Sequence, residues 1–242
     1  MDPTLLALDT STEAMALAVL SPAGTWLRNA PGGAAASAQL LPAVLALLAE
    51  AGIALQQLDG IAFGQGPGAF TGLRTACSVA QGLAFGIGKP VLAIDSLLLV
   101  ADDAQAQLPT PDEASLLWVA MDARMDEIYA GAYRYQRGAW SEHHAAALYT
   151  LPALAACWAA EPPVRVAGSA IAAFGARLPL GGASTIAQEQ NRAAALARLA
   201  RQGWLAGRMI DPAQALPQYL RDKVALTTAE RQAQRAAAAG SA

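Results

Sequence analysis

A loop rich in glycine is the most specific candidate for chemistry in this chain. Residues 64–76 read GQGPGAFTGLRTA and lie between a short apolar run and a helix-like run. Such a loop lets a phosphate, a dinucleotide or a second backbone approach the main chain closely. A phosphate-binding loop of the G-x-x-x-x-G-K-[ST] type is excluded, because no lysine lies near these residues.

A dinucleotide-binding loop is the alternative that this pattern leaves open. The pattern G-x-G-x-x-[GA] fits Gly64, Gly66 and Ala69, after a predicted strand and before a predicted helix. Pro67 weakens this interpretation, because proline removes a backbone donor where donors would bind the pyrophosphate. Asp95, at the end of the next predicted strand, lies later in the chain than the ribose-binding acid of such domains usually does.

The histidines and cysteines predict neither a metal site nor a catalytic nucleophile. His143 and His144 are adjacent in a predicted strand, where neighbouring side chains point to opposite faces, so we expect no shared metal ion. No Ser/His/Asp or Cys/His set with a plausible motif occurs in the sequence. Cys77 and Cys157 lie far apart, which suits a reducing cytoplasm and offers no disulfide framework.

The composition predicts a protein that hides much apolar surface, partly against a partner. Hydrophobic residues make up 55% and charged residues 14% of the 242 residues, so a protein interface is expected. No stretch of about 20 apolar residues lacks a charge, so we expect no membrane span. The N-terminus, MDPTLLALDTS, has no basic region, so we expect no signal peptide and a cytoplasmic protein.

The charge distribution does not favour direct binding to nucleic acid. The formal net charge is −3, whereas proteins that hold nucleic acid by themselves usually carry a basic stripe. Arginines are concentrated in the C-terminal third, and we interpret them as a solvated helix face plus a tail. They include Arg192, Arg198, Arg201, Arg208, Arg221, Arg231 and Arg235.

Apolar periodicity and turn residues predict strands alternating with helices. The predicted strands are 4–8, 14–20, 25–28, 61–63, 91–94, 116–121, 127–135, 139–144 and 164–167. The predicted helices are 38–51, 71–87, 96–107, 151–160, 170–177 and 192–207. A proline-rich acidic linker, residues 108–114, divides the chain into lobes 1–108 and 109–242, with a partly disordered tail from about residue 227.

An internal repeat predicts a duplicated α/β architecture. Residues 5–27 and 116–140 each contain a buried strand that ends in an aspartate, Asp9 or Asp122. Each aspartate is followed by turn residues, a strand of small and apolar residues, a glycine-containing turn and a tryptophan. Two such strand–hairpin–strand units, each followed by helices, indicate a duplicated domain.

The predicted helix after the glycine loop has two different faces. An apolar stripe includes Leu73, Cys77 and Ala80. A second stripe consists mostly of small residues, namely Thr71, Thr75, Ser78, Val79, Gly82 and Gly86. Glycine inside a helix costs up to about 1 kcal/mol relative to alanine, so close packing against another helix is expected. Packing within the domain and pairing with a partner both fit, and the high apolar content favours the partner.

Four segments resemble the bacterial TsaB family, also called YeaZ. They are LALDTSTEAMALAV, FGQGPGAFTGLRTACSVAQGLAFGIGKPVLAIDSL, AMDARMDEIYAGAY and PQYLRDKVA, in this order along almost the whole chain. The GxGPGxFTGLR signature in the second segment is highly specific. The resemblance implies a duplicated actin-like (ASKHA, ribonuclease H-like) α/β fold, with two lobes of mixed sheets flanked by helices.

The resemblance also implies a function in making threonylcarbamoyladenosine next to the anticodon of tRNA. Family members look like degenerate copies of TsaD and act as its non-catalytic partner, scaffolding and activating this threonylcarbamoyltransferase. A TsaE-like ATPase joins through the complex, tRNA is contacted only indirectly, and the protein alone is expected to form a homodimer. A nucleotide-binding enzyme, either an actin-like ATPase or kinase or an NAD-dependent dehydrogenase, is the alternative.

The resemblance directs attention to two sets of residues. Asp9, Thr10, Ser11 and Thr12 match the phosphate-facing turn of actin-like ATPases and form a candidate vestigial nucleotide site. No cofactor is expected beyond weak binding of ATP or ADP in the complex, and Ala36 stands where many members have histidine. The expected partner contacts are Leu41, Val44, Leu48, Gly64, Gly66, Pro67, Gly68, Phe70, Thr71, Gly72, Arg74, Thr75, Ser78 and Gly82.

Overall fold

The computed structural model of the chain describes residues 2–108 and 116–221. Its strands are β1 (Leu5–Asp9), β2 (Ala14–Ser21), β3 (Gly24–Pro31), β4 (Gly60–Gly66), β5 (Val91–Asp95), β6 (Leu116–Asp122), β7 (Glu127–Gln136), β8 (Ala139–Thr150), β9 (Arg165–Ala167) and β10 (Ser184–Ile186). Its α-helices are α1 (Ala36–Ala51), α2 (Phe70–Ile87), α3 (Ser96–Ala106), α4 (Leu151–Ala160), α5 (Ala170–Phe174) and α6 (Arg192–Leu205). Most of the predicted linker and the predicted tail lie outside the described residues.

The strands form two five-stranded sheets with the same topology. The first sheet has the order β3-β2-β1-β4-β5, and the second has the order β8-β7-β6-β9-β10. In each sheet the first three strands along the chain are antiparallel neighbours, and the last two add in parallel. Asp9 is the last residue of β1 and Asp122 is the last residue of β6, which are the first strands of the two sheets in chain order. This is a duplicated α/β fold with two mixed sheets flanked by helices, and that prediction of the fold class is confirmed.

The central strand β1 builds core on both faces of the first sheet. Leu6 belongs to a cluster with Leu40 of α1, whereas Leu5 belongs to a cluster on the opposite face with Leu196 of α6. Because side chains alternate between the faces of a sheet, a strand covered on both sides must be apolar throughout. The run LLALD satisfies this requirement except at its last residue, and all five residues are buried.

Two helices connect the halves of the chain. Helix α3 contributes Leu99 to the core of the first sheet and Leu97 to the core of the second sheet, where Val119 of β6 also lies. Helix α6 belongs to the C-terminal half of the sequence but contacts β1, β2 and β3 of the first sheet. The division into lobes 1–108 and 109–242 stays a prediction, and α6 lies beyond that boundary in sequence and against the first sheet in space.

Local sequence explains where most helices begin and end. Helices α1 and α2 end before Gly52 and Gly88, whose φ angles of 67° and 64° are left-handed. Asp95 caps α3 by accepting a hydrogen bond from Leu97 N at 2.8 Å, as the sequence predicts, and Thr150 caps α4. None of the helices in the described ranges is both long and apolar enough to cross a membrane.

Strand β8 differs from its prediction in a way that moves both histidines. The strand continues beyond its predicted end at residue 144, and its pairing with β7 shifts in register. Tyr133 lies opposite Glu142, whereas the preceding Ala132 lies opposite His144, so His143 is the extra residue of a β-bulge. The prediction that the histidines point to opposite faces is wrong, because the bulge interrupts the alternation and both rings contact one carboxylate.

Candidate partner-binding surface and interlobe cleft

A buried ion pair joins the end of β1 to the start of α6. Asp9 is 0% exposed and Arg192 is 3% exposed. Arg192 Nε donates to Asp9 Oδ1 at 2.9 Å, and Arg192 Nη2 donates to Ser11 Oγ at 2.8 Å. Ser96 Oγ donates to the second carboxylate oxygen of Asp9 at 3.1 Å. Buried charges are stable in proteins when they are paired and hydrogen-bonded in this way.

The ion pair corrects the interpretation of Arg192 as part of a solvated helix face. Burial lowers the pKa of the Arg192 guanidinium, but the charges of Asp9 and Glu189 and their hydrogen bonds outweigh burial and raise the pKa above its ordinary value. Arg192 therefore stays charged. It holds the carboxylate of the candidate vestigial nucleotide site, and a cation at Asp9 would have to displace it.

The glycine loop packs against the first hairpin turn of the same chain. Thr10 Oγ1 donates to Gly72 O at 2.7 Å, and Ala69 N donates to Ser11 O at 2.7 Å. A Cβ atom on Gly72 would collide with Thr10 O, and one on Gly68 would collide with the backbone of Ser11. Glycine is needed at both positions because main-chain atoms occupy the space of a side chain.

The remaining glycines of the loop also serve packing within the chain. A Cβ atom on Gly64 would collide with the Asp9 carboxylate, and one on Gly66 would lie 2.7 Å from Gln218 O. The backbone that approaches the loop closely is therefore the chain's own. Five of the expected partner contacts are thus buried or held against other parts of the chain, namely Gly64, Gly66, Pro67, Gly68 and Gly72.

An interlobe cleft of about 760 Å³ lies between the two duplicated units. Its walls include the first hairpin turn, residues 11–14, the glycine loop, residues 67–70, and the second hairpin turn, residues 121–124. Thr12 lies in this wall, and its Oγ1 donates to Ala14 O at 3.3 Å and accepts from Ala14 N at 3.2 Å. The volume is within the range of pockets that hold small molecules.

The second hairpin turn has an unusual backbone. Arg124, Met125 and Asp126 have φ angles of 64°, 56° and 59°, a conformation that residues other than glycine rarely adopt. Arg221 supports this turn, because its Nη2 donates to Ala123 O at 3.1 Å and to Arg124 O at 3.3 Å. A cation from the C-terminal segment thus donates to two carbonyl groups of the left-handed turn, one of which, Arg124 O, also accepts from Glu127 N at 3.1 Å.

The C-terminal segment, residues 216–221, also contacts the start of α2. Arg74 Nε donates to Tyr219 OH at 3.0 Å, and the Arg74 guanidinium lies 3.8 Å from the centre of the Phe70 ring. Arg74, which we expect to contact a partner, therefore has contacts within the chain as well. Sequence reasoning assigned no role to Tyr219 and interpreted Arg221 as part of a solvated face plus tail, although the motif PQYLRDKVA contains both. The contacts of Arg221 with the second hairpin turn correct that interpretation.

The outer sides of α1 and α2 expose large apolar side chains beside small residues. Leu41, Leu45 and Phe85 are 42%, 51% and 58% exposed. A Cβ atom added at Gly82 or Gly86 would meet no atom within 4 Å. We define the α1–α2 surface by the exposed residues Leu41, Leu45, Thr71, Ser78, Gly82, Phe85 and Gly86.

Two residues of α1 do not belong to this surface. Val44 is 0% and Leu48 is 3% exposed, and both lie in the core between α1, α2 and the first sheet. Because they are four residues apart, they share the inward side of the helix. Their assignment as partner contacts is corrected, while Leu41 and Leu45 face outward.

Comparison with known proteins identifies the family. Residues 32–163 match the family model described as TsaD, tRNA N6-adenosine threonylcarbamoyltransferase. "YeaZ from Pseudomonas aeruginosa" superposes with a TM-score of 0.80 at 38% sequence identity, and the match covers 90% of this chain and 100% of that one. The chain belongs to the TsaB (YeaZ) family. The resemblance seen in the sequence is confirmed.

Curated TsaB proteins match over part of their length. "tRNA threonylcarbamoyladenosine biosynthesis protein TsaB" of Haemophilus influenzae is 43% identical over 126 residues, which are 52% of each chain. The protein of the same name from Escherichia coli is 33% identical over 137 residues, which are 56% of this chain and 58% of that protein. The chain thus spans about half the length of the curated TsaB relatives that it matches.

Alanine substitutions should change stability in opposite directions in the closely packed glycine loop and on the open α1–α2 surface. We expect Gly72→Ala to lower the free energy of unfolding by about 1–3 kcal/mol, because the new methyl group collides with Thr10 O. We expect Gly82→Ala to raise it by about 0.5–1 kcal/mol, because the site is open and alanine favours a helix. Urea denaturation of both variants measures the difference, and equal effects would contradict this division.

Removal of Arg192 should leave Asp9 as an unpaired buried charge. We expect Arg192→Met to lower the free energy of unfolding by about 3–5 kcal/mol. Arg201→Met is the control on the same helix, because Arg201 pairs with Asp2 at 2.6 Å on the surface, and we expect it to cost less than about 1 kcal/mol. The double variant Asp9→Asn/Arg192→Met should recover part of the loss in urea denaturation. Similar losses of unfolding free energy in Arg192→Met and in Arg201→Met would argue against a buried ion pair.

Proposed function

We propose that this protein is a non-catalytic subunit of a complex that makes threonylcarbamoyladenosine in tRNA, and that it binds and activates a TsaD-like paralogue. The α1–α2 surface on a chain of the TsaB family is the observation that carries this proposal. The names of the curated TsaB relatives and the TsaD family model support the pathway. The proposed complex works in the cytoplasm, where tRNA is modified.

The physical argument rests on residues that packing within the chain does not explain. Gly82 and Gly86 lie inside α2 and have open space beside them. Each costs up to about 1 kcal/mol of helix stability relative to alanine, and the close approach of a second helix would compensate. Burial of Leu45 or Phe85 in such a contact would contribute up to about 1.5–3 kcal/mol for each side chain.

A scaffolding function is consistent with the contacts that already occupy the candidate nucleotide site. Asp9, Ser11 and Thr10 are engaged by Arg192 and Gly72. We propose that these contacts prevent the protein from hydrolysing ATP unaided. The interlobe cleft is large enough to hold ATP or ADP weakly within the complex, which is also the feature that favours a nucleotide-binding enzyme as the second candidate function. Turnover of ATP by the isolated protein would favour that candidate.

The remaining partners follow from the same surface. We propose that the protein alone pairs with a second copy through the α1–α2 surface, and that the TsaD-like paralogue replaces this copy. A TsaE-like ATPase would join through the resulting complex. The net charge of −3 favours an indirect rather than a direct contact with tRNA.

Substitutions on the α1–α2 surface should prevent pairing without unfolding the chain. We expect Gly82→Leu and Leu45→Arg each to weaken binding to the TsaD-like protein of the same source by at least about tenfold, or 1.4 kcal/mol. The leucine would separate the two helices, and the arginine would bury a charge. Size-exclusion chromatography with light scattering, followed by titration calorimetry, measures the complex and its affinity.

Leu205→Arg is the matched control, because Leu205 is 66% exposed at the end of α6. We expect this variant to bind like the unsubstituted protein, and circular dichroism should show that all variants are folded. Binding that survives both surface substitutions would overturn the assignment of the interface to α1 and α2. A protein that stays monomeric with and without the paralogue would overturn the scaffolding proposal and make nucleotide binding the next assay.

A further inference from the structure

A cluster of nitrogen and oxygen ligands lies away from both the α1–α2 surface and the interlobe cleft. His143 Nε2 lies 3.0 Å from Glu161 Oε1, and His144 Nε2 lies 2.8 Å from Glu161 Oε2. One ligand atom from each of the three residues lies within 4.8 Å of the other two. The side chains are 32%, 37% and 43% exposed, so solvent and dissolved ions reach the cluster.

The fold positions each member of the cluster through a different device. The bulge in β8 brings His143 to the same side as His144, and the His144 ring stacks on Trp118 with centres 4.9 Å apart. Glu161 follows the last turn of α4, where its backbone N–H donates to Cys157 O at 3.0 Å. The two rings thus come from β8 and the carboxylate from the end of α4.

The electrostatics of the cluster favour a cation. Hydrogen bonds from His144 and His143 lower the pKa of the Glu161 carboxyl below its ordinary value, so the carboxylate is charged at neutral pH. Neutral imidazole nitrogen and carboxylate oxygen are the ligands that zinc shares with other first-row transition metals. Calcium and magnesium prefer sites made of oxygen atoms alone, which this cluster does not provide.

We propose that His143, His144 and Glu161 form a Zn²⁺ site, with the two Nε2 atoms and one carboxylate oxygen as ligands. Zinc lies about 2.0–2.1 Å from such ligands, which places neighbouring ligand atoms of a tetrahedral site roughly 3.3 Å apart. The distances of 3.0 and 2.8 Å run from the two imidazoles to different carboxylate oxygens, and the ligand atoms lie within 4.8 Å of one another, so the side chains must adjust to bring all three to the ion. The ion replaces the protons that the histidines share with Glu161, and a fourth position stays open for water or another ligand.

The proposed ion would connect β8 to the end of α4. These elements lie on one edge of the second sheet and on the helical layer that covers it. Zinc binding should therefore stabilise the second sheet, since an ion that binds only the folded chain shifts the equilibrium toward it. The inference does not depend on the proposed function, because none of its residues belongs to the α1–α2 surface.

Isothermal titration of ZnCl₂ into the full-length, tag-free protein, after dialysis against EDTA and into metal-free buffer, tests the site. We expect one Zn²⁺ per chain at pH 7.5. We expect His143→Ala, His144→Ala and Glu161→Gln each to weaken binding by about tenfold or more, since each removes one of three ligands. Binding should also weaken as the pH falls, because protons compete with zinc for the imidazole nitrogens.

Glu142→Gln and Cys157→Ser are the matched controls. Glu142 is a carboxylate beside the cluster on β8, and Cys157 is a thiol one turn before Glu161 on α4. Both variants should bind Zn²⁺ like the unsubstituted protein. The melting temperature should rise with Zn²⁺ in the unsubstituted protein and in the controls, but not in the double variant His143→Ala/His144→Ala.

Two results would overturn the proposal. Zn²⁺ affinity that is unchanged in His143→Ala and in Glu161→Gln would place any bound ion elsewhere. The absence of a titration signal and of a thermal shift at millimolar Zn²⁺ would show that the three residues form a hydrogen-bonded triad that does not bind zinc. Melting curves in EDTA establish that each variant is folded, and Glu161→Gln keeps the size of the side chain if the alanine variants do not fold.

Discussion

The burial of Asp9 constrains the structure around it. A carboxylate at the end of a strand that is covered on both faces has no access to water, so a cation must reach it from another element. Arg192, from the other end of the sequence, supplies the charge, and its guanidinium also bonds the Ser11 hydroxyl. The ion pair thereby ties the start of α6 to the end of β1 and to the first hairpin turn.

The first hairpin turn in turn determines the composition of the glycine loop. Because the backbone of residues 10 and 11 lies against the loop, side chains are excluded at Gly68 and Gly72. The glycines that look most functional in the sequence are therefore explained by packing within the chain. The glycines that have no such explanation, Gly82 and Gly86, lie on the outer side of α2 and support the proposed partner surface.

The sequence was a good guide wherever the determinants are local. The strand–hairpin–strand repeat, with Asp9 and Asp122 at equivalent positions, predicted the duplicated fold, and Asp95 correctly marked the start of α3. The failures concern contacts between distant parts of the chain. Arg192 looked like a solvated helical residue because its partner lies 183 residues away. Val44 and Leu48 could not be separated from Leu41 and Leu45 by hydropathy alone, since α1 is apolar on most sides.

The prediction that His143 and His144 point to opposite faces failed for a different reason. Alternation along a strand is a reliable rule for regular strands, but a bulge cancels it and leaves little signal in the bulged strand itself. A signal existed in the partner strand for the neighbouring irregularity, where Gly131 of β7 lies opposite residues 145–146 of β8 and a Cβ atom on Gly131 would lie 3.2 Å from Ala146 Cα. A glycine inside an otherwise apolar strand often marks such a bulge.

The path of α6 has a consequence for the order of events on the ribosome. The strands of the first sheet end at Asp95, but the helix that covers the Leu5 face ends at Leu205. At translation rates of about 5–20 residues per second, on the order of ten seconds pass before α6 can cover the apolar face and Arg192 can pair with the Asp9 carboxylate. During this interval the nascent N-terminal half therefore exposes an apolar sheet face and a carboxylate without a counter-ion. In this state chaperones would be most useful to the protein.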